Sequence, residues 1–122
     1  MDINENLKEL SLEFAAIHTA IYVDLSIGLV LADNAATDIS QEGLDVLCSQ
    51  TVAAFNNPFI NAKKPLIEPP EKVIVMRDDG IIISLRRSDN MGNAICLFCS
   101  YDIDIGNVLD KSSHILSQMG AA

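Results

Sequence analysis

The chain has 122 residues, enough for one domain and too few for two, and a domain of that size buries a core without a disulfide or metal staple. Its formal net charge is −9, so most of its surface would repel a phosphate backbone, and non-specific nucleic-acid binding is excluded. Hydrophobic residues make up 49 % of it with no Trp and few aromatics, so the core must be aliphatic.

In chain order, Ile3, Leu7, Leu10, Phe14, Ile17 and Ile21 recur every three or four residues and predict one helical stripe, with Asp2 and Glu5 as a capping box at its start. Residues 19–25 are β-branched and aromatic and predict a strand. Ser26-Ile27-Gly28 predicts a tight turn, and Leu29 to Ala32 the return strand of a hairpin. Asp38 and Gln41 give a second capping signal, for a helix from about Ile39 to Phe55. Its core stripe is Leu44, Leu47, Cys48, Thr51 and Phe55. The opposite side is half-apolar and small: Val46, Ser49 and Ala53 follow at spacings of three and four beside Glu42 and Gln50. Such a face predicts that another surface lies against it. Residues 56–70 hold all four prolines and form a long connection, with Phe59 and Ile60 placed to cover a core edge.

Lys72 to Arg77 predicts the third strand. Asp78-Asp79-Gly80 predicts a hairpin, because an Asp-Gly pair tolerates positive φ, and Ile81 to Arg87 the fourth strand. Ser88 to Asn93 is predicted as a loop. Ala94 to Tyr101 is the fifth strand, apolar on both parities, which places it in the middle of a sheet covered on both faces. Ile105, Val108, Leu109, Ser112, Leu116 and Met119 predict a last helix that stops at Gly120. The order α-β-β-α-β-β-β-α predicts a single α+β domain over 1–122, an antiparallel five-stranded sheet with helices on both sides.

No catalytic constellation competes with that pattern. Cys96-Leu97-Phe98-Cys99 has metal-pair spacing, but residues three apart in a strand point to opposite faces, and a structural zinc needs four ligands. His18 and His114 both fall in predicted helices and lack a partner for general-base work. Asp78, Asp79 and Asp89 lack the spacing of a calcium loop. The six glycines stand singly, with no phosphate-binding fingerprint. Arg86 and Arg87 are predicted as a solvated strand end. No metal and no cofactor is expected, nor enzymatic activity. With no apolar run of membrane-spanning length, an acidic N-terminus and an odd cysteine count, the expected location is the cytoplasm.

Charge is uneven. Residues 1–62 hold nine acids against the single Lys8, whereas residues 63–87 hold six bases against four acids. One end can thus attract another copy or an acidic partner.

Ala20-Ile21-Tyr22-Val23-Asp24-Leu25-Ser26-Ile27-Gly28-Leu29-Val30-Leu31-Ala32 resembles the first hairpin of the Roadblock family of dynein light-chain type domains. Val73-Ile74-Val75-Met76 and Ile81-Ile82-Ile83-Ser84-Leu85 resemble its middle hairpin, and the likeness spans nearly the whole chain. The long Pro-rich connection departs from the family pattern. The resemblance implies a sheet with the first and last helices on one face and the middle helix on the other. It also implies homodimers or heterodimers joined through the middle helix and third strand, and a role in regulating or scaffolding small Ras-like GTPases or attaching to motor complexes. Lys72–Arg77 has edge features of its own, charged ends around a β-branched core after a proline pair, and edges must be protected. The expected homodimer seam is therefore Glu42, Val46, Ser49 and Ala53 of the middle helix with Lys72, Val73, Val75 and Arg77 of the strand. Lys72 and Arg77 would face acids such as Glu71 and Asp78 of the second copy. The alternative is a small-molecule sensor, which related helix-sheet-helix folds also provide.

Overall fold

A computed structural model describes residues 2–35, 40–55 and 71–120. Helix α1 (Ile3–Glu13) leads into strands β1 (Ile17–Asp24) and β2 (Leu29–Ala35). Helix α2 (Gln41–Phe55), strands β3 (Lys72–Arg77), β4 (Gly80–Arg87) and β5 (Asn90–Cys99), and helix α3 (Ile105–Gly120) follow. All strand pairs are antiparallel, in the order β2-β1-β5-β4-β3. The fifth strand is central, as its two apolar parities require.

Each face of β5 carries its own core. Ile95, Leu97 and Cys99 join Ile81, Ile83 and Leu85 of β4 under α1 and α3, which contribute Leu7, Leu10, Val108, Ile115 and Leu116. Ala94 and Cys96 join Ile21, Val23 and Ile82 under α2, which contributes Leu44, Leu47, Cys48 and Phe55. Two helices thus cover one face and one the other, and the sulfurs of Cys96 and Cys99 lie in different cores.

The structure revises several sequence-based boundaries. The first helix ends at Glu13, where the backbone of Phe14 turns extended and its N–H caps the Leu10 carbonyl. Ile17, His18 and Ile21 belong to β1 instead. A spacing of four fits a period of two as well as one of 3.6, so Ile17 and Ile21 imitate a continuing helix. A bulge between Ile17 and Thr19 then sends them to opposite cores. At the helix start, the Asp2 carboxylate accepts from the Asn4 backbone N–H at 3.0 Å. For α2, Asp38 and Ile39 lie outside the described residues, and the described cap is the Ser40 hydroxyl, accepting from the Gly43 N–H at 3.1 Å. The Pro-rich connection, with Phe59 and Ile60, also lies outside them. The predicted loop 88–93 is mostly strand: β5 begins at Asn90, leaving only Ser88 and Asp89 as the turn, and it ends at Cys99, before Tyr101.

Arg86 is a further correction. Neighbouring strand residues point to opposite faces, and Arg86 points under α2. There it is 8 % exposed, with its guanidinium 4.2 Å from the centre of the Phe55 ring. A planar, weakly hydrated cation over an aromatic face tolerates that burial. Arg87 points to the other face and is half-buried, donating to the Leu116 carbonyl and pairing with Asp89.

Candidate interaction surface

The sheet ends in β2 on one side and β3 on the other. β3 is a regular six-residue strand paired with β4 without a register break. Its direction of hydrogen bonding is fixed by one contact. The Arg86 N–H donates to the Glu71 carbonyl at 2.8 Å, and these residues stand opposite each other in the β3–β4 register. Hydrogen-bonded pairs alternate along an antiparallel ladder. Glu71, Val73, Val75 and Arg77 therefore turn their backbone groups toward β4, and Lys72, Ile74 and Met76 turn theirs outward to the edge.

The middle of this edge is apolar and exposed. Ile74, Val75 and Met76 are 41 %, 37 % and 65 % exposed, with Val73 half-buried against the α2-side core. Lys72, Ile74 and Met76 share the face of α1 and α3; Val73, Val75 and Arg77 share the face of α2. On α2, Glu42, Val46, Ser49 and Ala53 are all exposed, Val46 by 50 %. Their neighbours Gly43, Leu47 and Gln50, with Val46, form one wall of a groove of about 140 Å³, and Arg77, Asp79, Thr19 and Phe98 form the other. Every residue expected at the seam is thus exposed or half-exposed on the α2 side or along β3. Arg77 is held within its own chain: its Nε pairs with Asp79 at 3.2 Å and its Nη1 donates to Gln50 Oε1 at 2.9 Å. The Gln50 contact ties α2 to the edge strand. No local pattern signals it, because Gln50 and Arg77 are joined only by the fold.

The sequence-based candidates for chemistry fall apart in space. Burial pushes the Cys96 thiol up to about 11 and the Cys99 thiol up to about 12. Both therefore stay protonated and unreactive near neutral pH. His18 is half-buried on β1, its ring 5.9 Å from that of Phe98. His114 is exposed on α3, within 3.1 Å of Gln118. Asp24 accepts from the Ser26 hydroxyl at 2.6 Å and its N–H at 2.9 Å, which holds its carboxyl below the usual value and closes the β1–β2 turn. Among the described residues no group of three or more metal-ligating side chains converges, and no helix is long and apolar enough to cross a membrane.

The sequence matches no family model and no curated protein. Solved structures do match. A Roadblock/LC7 domain from Streptomyces avermitilis superposes with a TM-score of 0.82 at 10 % identity, covering 99 % of this chain and 97 % of that one. The gliding protein MglB from Thermus thermophilus gives 0.72 at 18 % identity, over 90 % of this chain and 79 % of that one. The chain has a Roadblock-type fold. Schizosaccharomyces pombe profilin shares the architecture at 0.65 and 12 % identity, over 98 % of each chain. The fold by itself therefore does not select a partner.

Proposed function

We propose that this chain is a non-catalytic interaction module that works as a homodimer, regulating or scaffolding a small Ras-like GTPase in the cytoplasm. The observation that carries the dimer is the β3 edge: outward backbone groups at Lys72, Ile74 and Met76 alongside exposed Ile74, Val75 and Met76. An unpaired, regular, apolar edge is a template for another strand, and a two-fold axis lets the same strand of a second copy fill it. Covering these half-exposed side chains contributes about 1–2 kcal/mol each. The exposed Glu42, Val46, Ser49 and Ala53 of α2 extend the seam on one face. The GTPase role is supported by the likeness to Roadblock domains.

The groove beside α2 weighs against a small-molecule sensor. It measures about 140 Å³, below the roughly 300–1,000 Å³ of sites for drug-sized ligands. A hollow of about 410 Å³ at Glu13, Phe14, Asn107, Asp110 and Lys111 is wide open to solvent rather than enclosed.

Sedimentation velocity from low to high micromolar concentration tests the dimer; a chain monomeric throughout overturns it. Capture with the purified protein as bait, in GDP and in a GTP analogue, tests the partner. A GTPase retained in one nucleotide state supports the proposal, and none retained in either overturns that part of it.

A further inference from the structure

Resting on the proposed dimer, we infer its register: the two-fold axis passes through Ile74, which pairs with itself, and Glu71 of each copy faces Arg77 of the other. The geometry of β3 leaves few choices. Two antiparallel neighbours in one sheet are related by an axis perpendicular to it, so each face continues across the seam and opposed residues share a face. Ile74 and Val75 lie on different faces, so the axis cannot pass between them. Backbone direction gives the same parity. Only Lys72, Ile74 and Met76 turn their groups outward, so these must pair among themselves.

An axis through Ile74 uses the whole edge. Lys72 of one copy bonds to Met76 of the other, Ile74 bonds to Ile74, and Met76 bonds to Lys72. On the α2 face, Val73 packs beside the second copy's Val75. Beyond it, Glu71 stands opposite the second copy's Arg77, giving an ion pair at each end of the seam. On the other face, the Lys72 stem lies along the second copy's Met76, its ammonium reaching water.

An axis through Val75 is poorer on each count. Lys72 then opposes Asp78, which lies in the turn beyond the strand, so the outer backbone bonds are lost. Glu71 opposes Asp79, placing like charges across the seam, which is destabilising. Arg77 opposes Val73 and gains no acid.

Cysteine pairs distinguish the registers. Val73 and Val75 have inward backbone groups, so across the seam they occupy non-hydrogen-bonded positions with Cα atoms about 4.5 Å apart, within disulfide range. The native Cys48, Cys96 and Cys99 are buried. Val73→Cys and Val75→Cys proteins are prepared separately, mixed, allowed to exchange and mildly oxidised. The expected product is the mixed disulfide that joins one copy of each variant, with Val75→Cys alone giving little. Self-crosslinking of Val75→Cys with no mixed product overturns this register but leaves the dimer. Glu71→Arg reads the same question without oxidation. It opposes Arg77 in the inferred register and weakens the dimer roughly tenfold. Tighter association would overturn the inference, because only the Val75-centred register sets it against Asp79. A wild-type protein that sediments as a monomer overturns both the dimer and its register.

Discussion

The two edges of the sheet are built alike and finished differently. Each is the outer strand of a hairpin, and each hairpin closes on a glycine with positive φ, Gly28 for β2 and Gly80 for β3. β2 is broken by a bulge: Tyr22 pairs with Ala32 and Val23 with Val30, leaving Leu31 over. Bulges bend an edge and interrupt its ladder, and an exposed Asp33 further along adds charge, so this edge resists strand addition. It also lies between α1, with exposed Glu5, Glu9 and Glu13, and α2, with exposed Glu42 and Asp45. β3 has no bulge, carries three exposed apolar residues in a row, and has bases at both ends. Exposed apolar area alone does not separate the edges, since Leu29 and Leu31 of β2 are 51 % and 47 % exposed. Ladder regularity and the sign of charge do.

The largest effect is expected where an edge hairpin meets the central strand. A Cβ on Gly80 would stand 2.4 Å from the Cys99 carbonyl oxygen, whereas one on Gly28 meets nothing within 4 Å. Gly80→Ala should destabilise the fold by about 3 kcal/mol or more, since backbone must move. Gly28→Ala should cost only about 1 kcal/mol, from its positive φ. Urea denaturation compares them, and equal losses would show that the two hairpins are held alike.

Next comes the edge itself. Ile74→Pro removes an outward N–H and leaves the β3–β4 ladder intact, so it should abolish the dimer while leaving monomer stability within about 1 kcal/mol. Val73→Pro removes a donor aimed at β4 and should cost the fold about 3 kcal/mol. Leu31→Lys, on the bulged edge, should leave sedimentation unchanged. A dimer lost equally with Leu31→Lys and Ile74→Pro would place the seam elsewhere.

Alkaline pH loads the centre and should loosen both edges together. Cys96 and Cys99 are held at about 11 and about 12 in the fold, above the value of roughly 8.5 for a free thiol. Between these values the folded state binds more protons than the unfolded one, so stability falls as pH rises. Below about pH 8 the effect vanishes. Denaturation midpoints from about pH 7 to about pH 10.5 should fall in wild type and fall less in Cys96→Ala.

The smallest effect belongs to the helix face. Ala53 is exposed beside Ser49 on α2, and Ala53→Glu should weaken the dimer by about three- to tenfold, as rim charges do. An indifferent dimer would confine the seam to β3.

Local pattern carried most of the architecture. The double apolar parity of Ile95 to Cys99 named the central strand, and the proline-led Lys72–Arg77 segment named an edge, because strand position depends on which faces are buried. Local pattern misled where two periods agree. Ile17 and Ile21 fit a helix and a strand equally, and nothing nearby revealed the bulge that parts them. It misled again at Arg86, since a charge in a strand reads as exposed until Phe55 of α2 is brought over it.

What the sequence by itself determined is therefore the order of the elements, the aliphatic composition of both cores and the apolar character of β3, all set by side chains close along the chain. Only the tertiary structure decided which backbone groups of β3 face outward, that Gln50 and Asp79 hold Arg77, and that β2 rather than β3 carries a bulge. Those facts depend on register between strands far apart in sequence. Register is a property of pairs, and a one-residue slip reverses every face it touches.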